Sequence, residues 1–363
     1  MKKIKIMHFV SGIGNDGVAQ VLTNYTGRMN RYFPIEESIV YQHKADSKRL
    51  ELEQKLGNQT YRIPFKKKHP IKNLIATYKL IKNKRPDIVE AHMNLVNFFP
   101  LFIAWMLKVP VRMSHSHIAQ NADNINPKLA PLFKKLNIVF ANTLVACGEE
   151  AGKYMYGNKN FHIVYNAIDQ SKYKFNQKYR DELRNKYNIS DTTVVLGNIG
   201  RITKQKNQKF LIDVFANYLK ENNDAVLFII GNGELESELD QYIKKRKIED
   251  KVIRIEGVTD TEKFYSAFDV FLLPSLYEGL PVVAIEAQAS GVKVLMSNTV
   301  DPTVKYTNSV YFLPLNEGTQ PWVRSIVPNY KRTELTKDNK YNIEIQYVNL
   351  YKFYKKMRAY KNV

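Results

Sequence analysis

Short apolar runs alternate with amphipathic segments along most of the chain. Runs such as Ile4–Phe9 and Ala225–Ile230 have the length and branched-residue content of buried strands, whereas residues 208–220 repeat their apolar positions at helical spacing. The alternation occurs twice, before and after a polar, lysine-rich stretch at residues 170–191. Strands that alternate with helices form parallel sheets. The pattern therefore predicts two doubly wound α/β domains joined by a linker.

The predicted domain bounds follow from this alternation. The N-terminal domain is expected to cover residues 1–175 and the C-terminal domain residues 176–340. Residues 341–363 are expected to form a C-terminal helix that packs back on the N-terminal domain. A chain of 363 residues is long enough for two cores of ordinary size.

Charge is concentrated in the first half of the chain. Residues 1–180 hold 29 Lys and Arg against 12 Asp and Glu, a net +17 of the total +20. Such a surface favours an anionic partner: nucleic acid, an acidic membrane face or a phosphorylated substrate. A merely soluble surface explains it equally well. Nucleic acid is disfavoured because the cations do not belong to a recognisable nucleic-acid-binding module.

The cysteine content and the apolar runs of the sequence indicate the cellular compartment. A single cysteine, Cys147, cannot form an internal disulfide framework and fits a reducing cytoplasm. The first apolar run is interrupted by Lys5 and His8, so it is interpreted as a strand rather than a signal peptide. The longest apolar run, near residues 98–107, is about half the length of a membrane span.

Two carboxylates stand out in the stretch from Tyr277 to Gly291, which lies between two strand-like runs. The pattern predicts a strand, a tight loop that contains Glu278, and a helix that begins near Pro281 and carries Glu286. The pair could act as general acid and base, as in glycosidases. A role in binding hydroxyl groups suits a loop with exposed backbone amides better.

Cations and histidines follow other predicted strands. Arg201 and Lys206 are well placed to neutralise a diphosphate, although a solvated basic turn is the alternative. His115 and His117 follow a first-half strand; we expect them to point to opposite faces, so that only one should enter the site. We find no further His, Cys, Asp and Glu cluster with metal-ligand spacing, so no metal is expected. The glycine-rich loop that ends at Gly17 could receive phosphate.

Taken together, these motifs resemble those of the retaining glycosyltransferases of the GT-B family 4, over nearly the whole chain. "YEGLPVVAIEAQASG" resembles the family's E-x7-E element, and Gly200-Arg201 with Lys206 resembles its G-R-x4-K segment. "RMSHSHI" and the lysine-rich first half resemble the capsular and exopolysaccharide branch. In the N-terminal loop, Asp16 stands where the family has a glycine, which leaves the Gly17 amide as the better phosphate contact.

The resemblance implies two Rossmann-like domains that face each other across a cleft, and it implies roles for individual residues. Arg201 and Lys206 would hold the donor diphosphate, Glu286 the ribose hydroxyls and Glu278 the transferred sugar. The catalytic histidine of the family corresponds to His117 or His115, and the sequence leaves both open. Backbone groups would complete the donor site at Gly17, Gly257, Val258, Gly279, Leu280, Val282 and Val283.

The implied activity is retaining transfer of a hexosyl or N-acetylhexosaminyl group from a nucleotide-sugar, with UDP preferred, and with neither cofactor nor metal. The acceptor would be a saccharide or an undecaprenyl-diphosphate-linked saccharide in cell-surface polysaccharide biosynthesis. The expected location is cytoplasmic, with attachment to the anionic inner membrane face as a hypothesis. The alternatives are a UDP-sugar epimerase, a glycosyl phosphorylase, or a non-catalytic basic protein that binds membrane or nucleic acid.

Overall fold

The structure, a computed structural model, describes residues 3–14, 17–43, 45–118, 125–258, 260–328, 331–335 and 339–361. The chain divides into two compact units. The first unit combines Met1–Ala167 with Lys340–Val363, and the second is Ile168–Asn339. The chain thus passes from the first unit to the second after Ala167, before residue 175, the boundary that the sequence suggested.

Strands and helices alternate through both units. The strands are β1 (Ile4–Phe9), β2 (Ile35–Tyr41), β3 (Gln59–Arg62), β4 (Ile88–Ala91), β5 (Val111–Ser116), β6 (Thr143–Ala146), β7 (His162–Ile163), β8 (Val194–Ile199), β9 (Ala225–Ile230), β10 (Val252–Ile255), β11 (Val270–Leu273), β12 (Lys293–Ser297) and β13 (Val310–Leu313). The helices are α1 (Gly17–Tyr32), α2 (Ser47–Lys55), α3 (Pro70–Lys84), α4 (Phe98–Met106), α5 (Ala130–Phe140), α6 (Glu149–Tyr156), α7 (Gln170–Tyr173), α8 (Gln177–Lys186), α9 (Gln208–Glu221), α10 (Glu236–Arg246), α11 (Thr261–Ala267), α12 (Val282–Ala289), α13 (Gln320–Ser325) and α14 (Ile343–Lys361).

The first unit is built on a seven-stranded parallel sheet in the order β3-β2-β1-β4-β5-β6-β7. At its centre Phe9 of β1 pairs with Val40 of β2 on one side and Ala91 of β4 on the other. Helix α4 packs its buried residues, among them Leu101 and Ala104, into the same core. The sheet places the ends of β1, β4 and β5 side by side.

The C-terminal helix α14 belongs to the first unit and packs against α1. Phe33 stacks on Tyr351 with ring centroids 3.8 Å apart, and Arg28 forms an ion pair with Glu344. Further along α14, the hydroxyl of the buried Tyr354 donates to a carboxylate oxygen of the sheet residue Glu90.

The second unit is built on a six-stranded parallel sheet in the order β10-β9-β8-β11-β12-β13. Its core lies between the sheet and helices α9, α10 and α13, with Phe215 and Trp322 fully buried. Strands β8 and β11 are neighbours, so the loops that follow them emerge at one edge. Most of the motifs singled out in the second half of the sequence follow these two strands.

The interpretation of residues 170–191 as a linker is wrong. Helix α8 lies within the second unit and packs against α11. Arg184 is buried on α8 and donates to Asp269 Oδ2 over 3.0 Å, while Arg180 donates to Oδ1 over 2.8 Å. The polar composition suggested a solvent-exposed linker, but Arg180 and Arg184 pair with the buried Asp269 instead of facing solvent.

Within the described ranges, none of the helices has both the length and the apolar character needed to cross a bilayer.

Candidate active site

The E-x7-E stretch folds as the sequence predicts, as a loop between β11 and α12. Pro281 is the N-cap of α12, so the helix begins at Val282. The loop is tied to the short helical turn after β8 by two hydrogen bonds. Leu276 N donates to Gln205 O over 2.8 Å, and Gln205 Nε2 donates to Tyr277 O over 3.0 Å. Two of the predicted motifs, distant in sequence, are therefore held together.

An ion pair joins these two motifs. Lys206 Nζ lies 2.5 Å from Glu278 Oε1, and both side chains are largely shielded from solvent. Ser275 Oγ donates to the same oxygen over 2.9 Å, and Gln205 Nε2 approaches Oε2 at 3.3 Å. These hydrogen bonds hold the Glu278 carboxylate in place, and the carboxylate in turn holds the Lys206 ammonium. Arg201, two residues beyond β8, is exposed.

Glu286 lies in the second turn of α12 and is buried between two tyrosines. Tyr173 donates its hydroxyl to Oε1 over 2.8 Å, and Tyr265 donates to Oε2 over 2.9 Å. Burial raises the pKa of Glu286 to about 7, although both hydroxyl donors oppose this shift. Burial, and after it the contact with the Glu286 carboxylate, raises the pKa of both tyrosines. Sequence reasoning identified Glu286 but not these two partners.

The N-terminus of α12 supplies backbone donors beside the ion pair. Because the first amides of a helix have no partner inside it, those of Val282 and Val283 are free of intrahelical bonds. The aligned peptide dipoles add positive potential at this end. Such a terminus suits the phosphate of a ligand. Gly279 and Leu280 precede it in the loop.

Glycines allow the neighbouring loops to pack closely. A Cβ on Gly231, whose φ is +138°, would lie 2.1 Å from the carbonyl oxygen of Gly200. Asn232 joins the loops because its carbonyl oxygen accepts from Ile202 N and its Oδ1 accepts from Gly257 N. The site residues Gly257 and Val258 follow β10 at the same edge of this sheet. The structure thus brings the predicted second-unit residues to one edge.

The remaining predicted residues lie in the first unit. Gly17 is the first residue of α1 and is exposed, while Asp16 lies outside the described residues. His115 is the buried penultimate residue of β5, and His117 follows the strand and is half-buried. The prediction that the two histidines point to opposite faces is wrong. Their rings stack with centroids 4.2 Å apart, because residues two positions apart in an extended chain lie on the same face, and the expectation reversed this rule.

Two further histidines complete a cluster that the sequence analysis did not predict. His92 Nδ1 lies 3.0 Å from His117 Nε2, and His92 Nε2 lies 3.2 Å from His8 Nδ1. His115 Nδ1 lies 2.8 Å from Glu90 Oε1. The signal in the sequence was the presence of titratable residues inside otherwise apolar strands, since His8 and Glu90 are register partners on β1 and β4.

Comparison with known proteins finds glycosyltransferases that resemble this chain. Residues 179–309 match the family model described as glycosyl transferases group 1. Over 333 residues the chain is 27% identical to EpsF of Bacillus subtilis (strain 168), provisionally named a glycosyltransferase, covering 89% of this chain and 86% of EpsF. Over 240 residues it is 27% identical to the Escherichia coli UDP-Gal:alpha-D-GlcNAc-diphosphoundecaprenol alpha-1,3-galactosyltransferase, covering 63% of this chain and 62% of that enzyme.

Solved structures agree on the fold. The structure of HepE from Anabaena, in complex with UDP and glucose, matches with a TM-score of 0.81 at 14% sequence identity. The match covers 96% of this chain and 99% of HepE. Both parallel-sheet units are those of the GT-B fold, as the sequence predicted. The chain has the GT-B fold and carries a glycosyl transferases group 1 domain at residues 179–309.

Proposed function

We propose that the protein transfers a sugar, with retention of anomeric configuration, from a UDP-sugar to a saccharide or lipid-diphosphate-linked saccharide during cell-surface polysaccharide biosynthesis. The observation that carries the proposal is the Lys206–Glu278 ion pair beside the N-terminus of α12. The acceptor class is supported by the name of the Escherichia coli relative, which acts on a diphosphoundecaprenol-linked sugar, and by a capsular polysaccharide enzyme of Staphylococcus aureus that is 24% identical.

In this proposal the catalytic contribution is mainly electrostatic. Departure of the nucleoside diphosphate leaves negative charge on its phosphate oxygens, and stabilising that charge lowers the barrier. Lys206 is held by Glu278, so its ammonium is already oriented before a donor binds. Arg201 and the free amides of α12 supply the remaining donors. The transfer needs no metal ion.

The two glutamates are assigned to the sugar and the ribose. Glu278 is the carboxylate beside the cation that meets the diphosphate, so we assign it to hydroxyls of the transferred sugar. Glu286 is fixed by two tyrosine hydroxyls and retains lone pairs that can accept from a ribose diol. On the first unit we assign substrate contact to His117, because it is more accessible than His115.

A donor screen tests the proposal. UDP-, GDP- and dTDP-sugars are compared by thermal shift and then by hydrolysis and transfer, with the anomeric configuration of the product read by NMR. We expect UDP-sugars to give the largest shift and a product of retained configuration. Inversion, or a UDP-sugar isomerised without an acceptor, would contradict the proposal, and the second result would favour an epimerase.

We also propose that the first unit attaches to the anionic inner face of the membrane. Helices α3, α4 and α5 pack side by side and carry apolar side chains that are at least half exposed. These residues are Ile71, Ile75, Trp105, Met106, Leu132 and Val139. Exposed lysines lie among them at positions 72, 79, 82, 108 and 135. Apolar side chains that enter the interface and lysines that meet acidic headgroups are the two components of such attachment.

Flotation with vesicles tests this attachment. Wild-type protein should float with vesicles that contain acidic phospholipid and stay behind with neutral vesicles. The double variant Trp105→Ser, Met106→Ser should lose most of the binding, whereas Val327→Ser, which removes an exposed apolar side chain from the second unit, should not. Equal binding to neutral and acidic vesicles, or none, would refute the proposal.

A further inference from the structure

The histidine cluster of the first unit gathers at one edge of the sheet. Glu90 lies on β4 and His92 immediately follows that strand; His115 lies on the neighbouring β5 and His117 immediately follows it. Parallel strands end at a common edge, so residues near their carboxyl ends come together. The ring centroid of His92 lies 5.0 Å from that of His115 and 5.3 Å from that of His117.

Two ring nitrogens of this cluster are buried and unpaired. His115 uses Nδ1 to bond Glu90, and its Nε2 has no hydrogen-bond partner among the residues that the structure describes. The same holds, within that part of the chain, for His117 Nδ1. The side chain of His115 is only 4% exposed. A buried polar atom without a partner is costly, so His115 Nε2 in particular is available to a ligand.

The nitrogens are close enough to share one ion. One imidazole nitrogen from each of His92, His115 and His117 lies within 4.8 Å of the other two. Tetrahedral coordination with metal–nitrogen bonds of about 2.0–2.1 Å places nitrogens about 3.3 Å apart. His92 Nδ1 and His117 Nε2 are already 3.0 Å apart. An ion between these two nitrogens would replace the hydrogen bond that they now share, and small rotations of the rings would bring His115 Nε2 into the set.

The available space fits a single ion. The cluster lines a cavity of about 20 Å³, together with Tyr25 and Tyr354. That volume holds about one water-sized species and excludes an organic ligand. The cavity is a property of the first unit alone, since all of its lining residues belong to that unit.

Outer partners orient the histidines in the way that metal sites require. Glu90 holds His115 through Nδ1, and His8 holds His92 through Nε2. His8 is in turn bonded to the buried Glu37 over 3.3 Å. Carboxylate–histidine pairs of this kind fix the ring and raise its basicity as a ligand. The two buried carboxylates also provide negative charge that a divalent cation would neutralise.

We propose that His92, His115 and His117 bind one divalent transition-metal ion of the zinc class, with a fourth coordination position open. Three imidazoles and no thiolate suit zinc and similar borderline ions rather than magnesium or calcium. The ion is separate from the proposed transfer chemistry, which needs none. Because His117 is also the histidine assigned to substrate contact, a consequence that rests on the proposed function is that bound Zn²⁺ inhibits transfer.

Cobalt provides a direct probe of this site. Untagged full-length protein is titrated with Co²⁺, and Zn²⁺ is then added while the visible spectrum is followed. We expect one equivalent of Co²⁺ to give the intense visible bands of tetrahedral coordination, and Zn²⁺ to abolish them. The absence of bands at one equivalent, together with no heat of Zn²⁺ binding by calorimetry, would overturn the proposal. This readout is independent of whether the protein transfers sugar.

Matched variants locate the ion. His115→Gln and His117→Gln should weaken Zn²⁺ binding by at least the 10–100-fold typical of losing an outer partner of a metal site. His162→Gln removes an exposed histidine on β7 and should leave the affinity unchanged. If His115→Gln fails to fold, the more accessible His117→Gln decides. Affinity lost in the His162 variant and kept in the His117 variant would show surface binding and refute the site.

Discussion

The ionisation of Glu286 should make the stability of the protein depend on pH in an unusual direction. Burial raises the pKa of Glu286 from 4.5 to about 7 in the native protein. Between these values the native protein holds a proton that the unfolded chain has released. Stability therefore falls as the pH rises through this window, which is opposite to the behaviour of a salt-bridged carboxylate.

The size of this effect follows from the shift in pKa. A difference of about 2.5 units at 1.36 kcal/mol per unit corresponds to about 3 kcal/mol over the full window. Part of that loss has already occurred at pH 5, so about 2–3 kcal/mol remains between pH 5 and pH 8.5. For a folding unit of 150–250 residues, each kcal/mol moves the Tm by about 2–4 °C. The expected range is therefore about 5–10 °C.

The variant Glu286→Gln isolates this contribution. The amide cannot ionise, so the Tm of the variant relative to wild type should rise by about 5–10 °C between pH 5 and pH 8.5, measured by scanning calorimetry. Glu221→Gln, at the exposed end of α9, controls for the loss of a surface carboxylate from the same unit. A difference that stays constant over this pH range would refute the reasoning that Glu286 is protonated in the native protein near pH 6.

Three shorter predictions concern the second unit. Lys206→Met should lower kcat by about 10²–10³, whereas Lys204→Met, on the same turn but exposed, should leave it within twofold; equal losses would remove Lys206 from the site. Gly231→Ala should destabilise the protein by about 1–3 kcal/mol, because its Cβ would lie 2.1 Å from a carbonyl oxygen of the neighbouring loop. Gly318 also has positive φ, but no atom lies within 4 Å of the Cβ that alanine would add there, so Gly318→Ala measures the backbone strain alone. Both variants are compared by chemical denaturation, and an equal loss of stability in the two would contradict the clash at Gly231. Asp269→Asn should destabilise the protein by about 3–5 kcal/mol, measured as a lower Tm, because Arg180 and Arg184 lose the carboxylate that neutralises them. An unchanged Tm would show that these ion pairs do not contribute to stability.

The fold was predictable from the sequence because parallel strands are buried on both faces. Strand β9 is therefore a continuous apolar run and β1 is largely apolar, and the predicted bounds of both match the observed ones. Elements without that signature were missed. Helix α2 is mostly polar and buries Arg49 and Glu53 instead of an apolar stripe. Strand β13 is short, and its Tyr311 is exposed.

The second-unit site was predictable in part because its residues occur in local motifs. Glu278 and Glu286 share one loop and helix, and Lys206 follows one strand, so each could be assigned from its own stretch. The partners of Glu286 come from elsewhere in the unit. Tyr173 lies 113 positions before Glu286 in the chain, and no local pattern marks it as the donor to that carboxylate.

The histidine cluster marks the point at which sequence reasoning stops, and the reason is physical. The expectation that the chain binds no metal considered only spacing along the chain, where His92 is far from His115 and His117. In a doubly wound sheet the neighbours of β1 and β5 are set by crossover connections, so distance along the chain says little about distance at the sheet edge. The neighbouring order β4-β5 brings the nitrogens of His92, His115 and His117 within reach of each other, and β1 adds His8 beside Glu90 and His92. Ligand sets in parallel sheets should therefore be sought among the carboxyl ends of spatially adjacent strands, and sequence spacing alone will miss them.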